Sequence, residues 1–284
     1  MAHRNRLLFV VFLLLVNLFA WQEIFALNQN RFLKVDFFDV GQGEAIFIET
    51  PQRRQILIDG GPDSKVTRKL AEVMPFWDRT IDLVVLTHPE KDHMAGLIEV
   101  FKRYKVQRVL WTGVVRDTAE YAAWDGALQK EGAEIFTAKS GQKIKDGEIS
   151  FDILFPFEDL AGKKFNDSND TSIVARLSFG ADSFLFTGDI TSKIEKALIA
   201  KNTLIGADVL KVGHHGSKTS TSFEFLEKVN PEAAVISAGR NNSYGHPHGT
   251  VLDNLAKYGI EIFRTDLTED IKIISDGKKI NISE

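Results

Sequence analysis

The densest cluster of chemically active side chains is segment 87–93, which reads Thr-His-Pro-Glu-Lys-Asp-His. An apolar run at 81–86 precedes it and predicts a buried strand, and residues 94–104 follow with apolar residues at helical spacing. The segment is therefore expected to be a loop at the end of a strand, where α/β enzymes hold their chemistry. Imidazole and carboxylate groups bind zinc, manganese or iron, although a solvated polar loop is the simpler alternative. The candidate ligands here are His88, Glu90, Asp92 and His93.

The other histidines strengthen the metal-site interpretation. The chain contains seven histidines, and apart from His3 near the N-terminus they fall into three pairs. Each later pair stands beside glycine at a predicted strand end or loop, and structural histidines would not be expected to group in this way. Converging residues of metal-ligand type mark a functional site. The pairs are His88 and His93, His214 and His215, and His246 and His248.

Length and composition restrict the class of protein. With 284 residues and 44% hydrophobic content, the chain forms one large domain or two small ones with ample core. The net charge of −4 indicates no general basic surface for nucleic acid, so a DNA or RNA substrate would need a local patch. The absence of cysteine fits an exported protein that folds without disulfides, and it fits a cytosolic one equally.

The N-terminus reads as an export signal. Arg4 and Arg6 precede an apolar stretch at 7–20, which resembles a signal peptide more than a full membrane span. The site at 24–26 matches the cleavage pattern poorly, which favours an uncleaved anchor, so residues 1–27 are a signal peptide or a membrane anchor. The positive end should stay inside, placing the rest of the chain outside the membrane. A buried N-terminal helix is the alternative.

The remaining chain predicts a single layered domain over residues 32–284. Strands with interspersed helices continue to the C-terminus, without a Pro- or Ser-rich linker or an internal repeat. This order predicts an α/β (α+β layered) fold in which two antiparallel-rich sheets face each other with helices outside. Predicted strand ends also deliver Asp59 and Asp189, which therefore join the candidate site.

These strand-end residues together resemble the metallo-β-lactamase fold superfamily, in which an αββα sandwich carries two metal ions along one edge. The chain is also similar, from about residue 33 onward, to the extracellular hydrolase domain of the ComEC family of competence proteins. Those proteins carry a many-spanning channel and this chain has one apolar segment, so we expect a stand-alone relative, and the resemblance does not carry DNA translocation over to it. The motifs that carry the resemblance are 39–44, 57–61, 187–189, 214–217, 236–239, 244–248 and 263–266.

The resemblance implies two metal sites, with two departures from the superfamily pattern. The superfamily loop usually reads His-x-His-x-Asp-His, and this chain has Glu90 at the second histidine. No histidine occurs between His93 and His214 to complete the first site, so an oxygen ligand fills that place or it is vacant. Oxygen ligands would shift preference from zinc towards manganese or magnesium. The candidates for that place are Asn166, Asn169 and Asp170.

The first implied site consists of His88, Glu90 and Asp189, with Asp170 as one candidate for the remaining place. The second consists of Asp92, His93 and either His214 or His215, with Asp189 bridging. Neighbouring strand residues point to opposite faces, so we expect only one histidine of that adjacent pair to be a ligand. The predicted cofactors are therefore two divalent ions, zinc or manganese.

Further residues have two possible roles each. Asp59 either orients a metal-bound histidine or caps the turn at Gly60 and Gly61. His246 and His248 either donate a proton to a leaving oxygen or bind phosphate, or else they are ordinary loop residues. Lys211, Lys218 and Arg240 either form a local cationic patch near the same edge or are isolated surface charges, which is the commoner outcome.

Three functions remain open. Two adjacent ions lower the pKa of a shared water and neutralise charge on a reacting phosphate or carbonyl. The favoured function is an exported phosphodiesterase or nuclease, with DNA or another phosphodiester as substrate and Asp92, His246 and His248 as catalytic residues. The alternatives are another hydrolase that opens a lactone, thioester or β-lactam, and a non-catalytic metal-binding module. The N-terminal segment indicates a membrane partner, and no sequence feature indicates a protein partner.

Overall fold

The computed structural model describes residues 2–29 and 32–284, with side chains described for 4–22 and 32–284. The predicted leader forms one helix, α1 (Ala2–Gln29). Within it, Arg4–Gln22 has a mean hydropathy of 1.6 and none of it is buried, so it is apolar and long enough to cross a membrane. The alternative of a buried N-terminal helix is therefore wrong for this stretch. The side chains of the predicted cleavage site at 24–26 and of His3 lie outside the described residues.

Two sheets contain the strands from residue 33 onward. Across the described part of the chain, the first sheet has eight strands and the second has seven. In spatial order the first sheet is β15 (Ile280–Ser283), β14 (Ile271–Ser275), β1 (Leu33–Phe37), β2 (Ile46–Glu49), β3 (Gln55–Ile58), β4 (Thr80–Leu86), β5 (Lys105–Trp111) and β6 (Glu134–Thr137). The second is β13 (Glu261–Arg264), β12 (Ala233–Ile236), β11 (Val209–Lys211), β10 (Asp182–Phe186), β9 (Val174–Phe179), β8 (Ile149–Phe155) and β7 (Lys143–Asp146).

Helices cover the outer faces of the sheets. They are α2 (Lys65–Val73), α3 (Lys91–Phe101), α4 (Ala119–Glu131), α5 (Ser192–Ala200), α6 (Phe223–Val229), α7 (Gly249–Lys257) and α8 (Thr265–Thr268). One apolar core lies between the two sheets. A second lies between the first sheet and its helices, and a third between the second sheet and its helices. β3 is buried on both faces, as expected for a strand covered on one side by a sheet and on the other by helices. The predicted αββα sandwich is confirmed.

Strand direction fixes which end of the sandwich holds the chemistry. β3, β4 and β5 run parallel, so their C-terminal ends lie together. β10 and β11 are likewise parallel in the second sheet. We call the end where these strands finish the site end, and the other the opposite end. β1 starts at the opposite end, because it is antiparallel to β2, and β2 is antiparallel to β3.

One local prediction needs correction. Segment 87–93 was expected to be a loop throughout, with a helix starting at residue 94. Instead α3 begins at Lys91, with Glu90 at its N-cap and the backbone N–H groups of His93 and Met94 bonded to the Glu90 carbonyl. Asp92 and His93 therefore lie on the first helical turn, where their side chains are fixed more rigidly than on a loop.

Candidate metal centre

Candidate ligands from both sheets meet at the site end. β4 leads into His88, and the first turn of α3 carries Asp92 and His93. From the second sheet, β10 leads to Asp189, and β11 leads to the turn Gly213–Gly216. The candidate ligands form three overlapping groups, and within each group the ligand atoms lie within 4.8 Å of one another. The groups are His88, His93 and Asp189; Asp92, His93 and His215; and Glu44, Asp189 and His215.

Asp189 is at the centre of these contacts. Its Oδ2 atom lies 3.3 Å from His93 Nε2 and 3.3 Å from His215 Nε2. His215 Nε2 is also 3.5 Å from Asp92 Oδ2. Four side chains therefore surround one position with two imidazole nitrogens and two carboxylates, which is a donor set suited to zinc, manganese or iron.

Unpartnered polar atoms show that these residues fit a cation. Among the described residues, the three histidines of these groups each have a buried ring nitrogen without a hydrogen-bond partner. They are the Nε2 atoms of His88, His93 and His215. A buried polar atom without a partner costs roughly 1–3 kcal/mol, so three that converge indicate a site shaped for a bound ion.

Hydrogen bonds to the other ring nitrogens orient these histidines. His93 Nδ1 lies 2.7 Å from Asp59 Oδ2, and His215 Nδ1 lies 2.7 Å from the carbonyl of Ser237. Asp59 also accepts hydrogen bonds from the backbone N–H and hydroxyl of Thr87. Such partners hold Nδ1 protonated and leave Nε2 free for a metal. The geometry matches the first of the two roles expected for Asp59, the orientation of a ligand.

The carboxylates attract positive charge to the centre. Burial lowers the pKa of His215, but Asp189 and Asp92 outweigh it and raise that pKa to about 9. Burial also lowers the pKa of His93, and Asp189 and Asp59 raise it well above the usual value. For Asp189 burial raises the pKa, and the two histidines hold it well below its usual range. Protons and a metal ion would therefore compete for the same nitrogens.

Glu90 does not face the other candidate ligands. Its carboxylate lies 2.7 Å from Arg116 Nη1 and accepts a hydrogen bond from the Ser168 hydroxyl. Within the described chain, no group of facing ligand atoms includes Glu90. The structure thus differs from the expectation that Glu90 occupies the place of the second loop histidine. The physical reason is Arg116, a cation that already neutralises this carboxylate.

The expected oxygen ligands after residue 165 are also placed elsewhere. Asp170 Oδ1 accepts the hydroxyl of Thr191 at 2.6 Å, and Oδ2 lies 3.2 Å from Lys193 Nζ. The structure therefore does not bring Asp170 to the first site, because its carboxylate holds the start of α5. Asn166 is exposed, whereas Asn169 Nδ2 lies 3.5 Å from His214 Nε2.

The adjacent histidines lie on a turn, not on a strand. β11 ends at Lys211, and both His214 and His215 have positive φ angles, 49° and 53°. His215 is buried and enters two ligand groups, while His214 Nε2 remains 4.0 Å from Asp189 Oδ2. The geometry favours His215 as the ligand, although the expected reason, alternation along a strand, was wrong.

His246 and His248 lie at the mouth of the centre. The His246 ring centroid is 5.7 Å from that of His214 and 6.4 Å from that of His215. His248 is 5.3 Å from His246 and forms the N-cap of α7. Burial, followed by the neighbouring His215 and His214, lowers the pKa of His246 to about 4, so its imidazole is neutral at pH 7. Exposed Tyr244 stacks against His246 at 5.7 Å.

Glu44 was missed as a functional candidate from the sequence, and Lys211 was placed wrongly. Lys211 was expected in a surface patch, but it is fully buried, pairs with buried Glu44 and lies 3.6 Å from Asp189 Oδ1. The patch prediction is wrong, since the Arg240 guanidinium also donates to the carbonyls of Asp266 and Leu267. The usable signal was a lysine inside the apolar run 209–212, because a charge in a buried strand needs a partner.

Comparison with known sequences identifies the family. Residues 38–240 match the profile of the Metallo-beta-lactamase superfamily. The chain belongs to this superfamily. ComE operon protein 3 of Bacillus subtilis is 35% identical over 252 residues, covering 82% of this chain and 32% of that protein. Competence protein ComA of Neisseria gonorrhoeae is 31% identical over 240 residues, covering 82% and 31%. Both relatives are ComEC-family competence proteins, and the chain spans about a third of their length.

Solved structures agree on the fold. The metallo-beta-lactamase fold protein YhfI from Bacillus subtilis has a TM-score of 0.51 and 14% identity, covering 81% of this chain and 96% of YhfI. Igni18, a metallo hydrolase from the archaeon Ignicoccus hospitalis, has a TM-score of 0.55 and 14% identity, covering 84% and 98%. The superfamily and the candidate ligand groups together support a metal-dependent hydrolase.

Proposed function

We propose that this chain hydrolyses phosphodiester bonds, in DNA or a related substrate, on the outer side of the cytoplasmic membrane. The observation that carries the proposal is the set of buried, unpartnered histidine nitrogen atoms around Asp189. The choice of bond rests on the resemblance to the ComEC family of competence proteins, which includes Competence protein ComA of Neisseria gonorrhoeae. The outer location rests on the apolar helix Arg4–Gln22 and the basic residues at its start.

The ligand groups support two ions bound with unequal strength. His93 Nε2 can bind only one ion. If His93 joins Asp92, His215 and Asp189 around the first ion, His88 and Asp189 remain as ligands for a second ion. We propose a tight site at the first set and a weaker one at His88, with zinc or manganese as the metal. When bound, such ions supply an activated water at neutral pH and neutralise charge on the phosphate.

The residues of this chain then position the substrate. Asp92 is one-third exposed, and His215 and His93 hold its pKa below the usual value despite burial, so its carboxylate stays ionised. His246 is neutral at pH 7, and one of its ring nitrogens can donate a hydrogen bond to a phosphate oxygen. His248 stands beside it at the N-terminus of α7, where oriented N–H groups favour an anion.

Metal analysis and a substrate panel test the proposal. Full-length protein is assayed with bis-p-nitrophenyl phosphate, single-stranded DNA and nitrocefin after loading with zinc or manganese. We expect at least one bound equivalent and hydrolysis of the phosphodiesters, with Asp253→Asn on the exposed face of α7 as a matched control. Hydrolysis of nitrocefin alone would replace the proposal with another hydrolase of this fold. Metal-free, inactive protein would indicate a non-catalytic module.

A further inference from the structure

An exposed aromatic pair marks the opposite end of the sandwich. Phe76 and Trp77 are 80% and 73% exposed, and their rings pack edge to face with centroids 4.8 Å apart. They stand just before β4, which runs from this end to His88 at the metal centre. At about 3.3 Å per residue, that strand separates the pair from the centre by roughly 20 Å.

Hydrogen bonds hold this pair away from the core. The backbone N–H of Asp78 donates to the Pro75 carbonyl, and the Asp78 carboxylate accepts from Gln55 Nε2 at 2.7 Å. Arg79 lies over the ring of Tyr104 at 5.4 Å. A rigid turn that presents two large aromatic side chains to solvent indicates an interaction surface, since single exposed apolar residues are ordinary but a fixed pair is not.

The chain enters the domain at this same end. β1 begins at Leu33, which pairs with Ser275 at the C-terminal end of β14. The apolar helix α1 ends at Gln29, so three residue steps connect it to exposed Phe32. Three steps span at most about 11 Å. A bilayer that holds α1 therefore keeps the opposite end of the domain close to its surface.

Five cations without an ion-pair partner in the described part of the chain share the opposite end with the aromatic pair. They lie on the turns of the opposite end, between β2 and β3, before β4, between α3 and β5, and between β14 and β15. The ion pairs among residues 32–284 include none of them. The carboxylates of Asp78 and Asp276 are bonded to N–H groups of their own turns. Glu148 is an exposed anion on a neighbouring turn. The cations are Arg53, Arg79, Arg103, Lys278 and Lys279.

We propose that the opposite end is a membrane-facing surface. Phe76 and Trp77 enter the interfacial layer, where aromatic side chains are favoured, and the five cations contact anionic lipid headgroups. This placement rests on α1 remaining in the membrane, as the proposed location requires. It turns the metal centre away from the bilayer, so a long polymer can reach the centre without meeting lipid.

The absence of cysteine makes a depth measurement direct. Phe76→Cys reports on the aromatic pair, and Leu267→Cys is the control, being 60% exposed on α8 at the site end. Each full-length variant carries a fluorophore on its cysteine and is reconstituted in phosphatidylcholine–phosphatidylglycerol vesicles with nitroxide-labelled lipid. We expect quenching at position 76 to exceed that at 267 by at least about twofold. Equal quenching, or more at 267, would overturn the proposal.

Charge reversal tests the headgroup contact separately. Arg53→Glu with Arg103→Glu should reduce quenching at position 76 and remove its dependence on phosphatidylglycerol. The matched control reverses two exposed lysines at the site end, Lys65→Glu with Lys218→Glu, and should leave that quenching unchanged. If both pairs reduce quenching equally, net charge alone draws the protein to the vesicle and the specific surface is refuted.

Discussion

His93 connects the metal centre to the scaffold through its two ring nitrogens. Nδ1 contacts Asp59 at 2.7 Å, and Nε2 faces Asp189 at 3.3 Å. Asp59 in turn adopts a left-handed backbone, with φ 57°, and is fixed by two hydrogen bonds from Thr87. Such conformations cost about 1–3 kcal/mol and persist where the surroundings enforce them, commonly at functional sites.

Asp189 is the residue whose loss should affect metal binding most. Asp189→Ala removes the carboxylate that faces both His93 and His215, so we expect loss of at least one metal equivalent and a fall in phosphodiester hydrolysis of at least about 100-fold. Metal content by mass spectrometry and rates on bis-p-nitrophenyl phosphate measure the two effects. Asp170→Ala is the matched comparison and should keep its metal, because that carboxylate binds Thr191 and Lys193. Equal metal loss in both variants would contradict the assignment.

Glu90, in contrast to Asp189, should not be needed for metal binding. Its carboxylate is neutralised by Arg116, so Glu90→Ala should leave the tightly bound metal unchanged. The same substitution at His93 should remove it, since His93 enters two ligand groups. Metal analysis of both variants after dialysis decides between the alternatives. Loss of metal from Glu90→Ala would restore the interpretation of Glu90 as an oxygen ligand.

At the scale of elements, the site depends on two turns that the sequence describes poorly. Buried strands such as β4 could be predicted because each is a continuous apolar run that ends where a polar segment begins. The start of α3 could not, since Glu90 is not one of the residue types that usually occupy the N-cap of a helix. The turn at His214 and His215 has two consecutive positive φ angles, which are uncommon for residues other than glycine, so local preference pointed to a strand. Tertiary contacts decided both cases.

The buried pair of Glu44 and Lys211 joins the two sheets behind Asp189. Burial lowers the pKa of Lys211, but Glu44 and Asp189 raise it above its usual value, so the lysine stays charged. Lys211→Met leaves a buried carboxylate unpaired and should lower the free energy of unfolding by about 3–5 kcal/mol. Urea denaturation of metal-free protein in detergent measures this loss. The double variant with Glu44→Leu should recover most of it, and failure to recover would refute the pairing argument.

Asp36 on β1 gives a stability change that depends on pH. Burial raises its pKa from 3.8 to about 6, although Lys272 and Lys34 oppose the shift. The folded state therefore binds the proton more tightly, so this contribution is fully present below about pH 4 and is lost as pH rises through about 6. Asp36→Asn should raise the free energy of unfolding by about 1–3 kcal/mol at pH 7.5 and by little at pH 4. Urea midpoints at both pH values, with Asp253→Asn as control, test the difference; equal effects at both would contradict it.

At the scale of the whole molecule, the two ends of the sandwich carry different groups of side chains. The site end collects the ligand atoms of both sheets, and the opposite end carries the entry of the chain from α1. Because parallel strands such as β3, β4 and β5 end together, the fold itself separates these ends. The architecture was predictable from the order of elements. The sequence did not show which turns, far apart along the chain, come together at each end.

Orientation across the membrane is the last prediction. Arg4 and Arg6 precede the apolar stretch of α1, so the N-terminus should stay in the cytoplasm and the domain after residue 32 should lie outside. Protease added to intact cells, or to spheroplasts where an outer membrane is present, should digest the domain while a cytosolic control protein survives. Moving the charge, with Arg4→Glu and Arg6→Glu plus two lysines inserted after Gln29, should protect a fraction of the domain. Full protection of the unaltered chain would reverse the orientation, and with it the outer location of the metal centre.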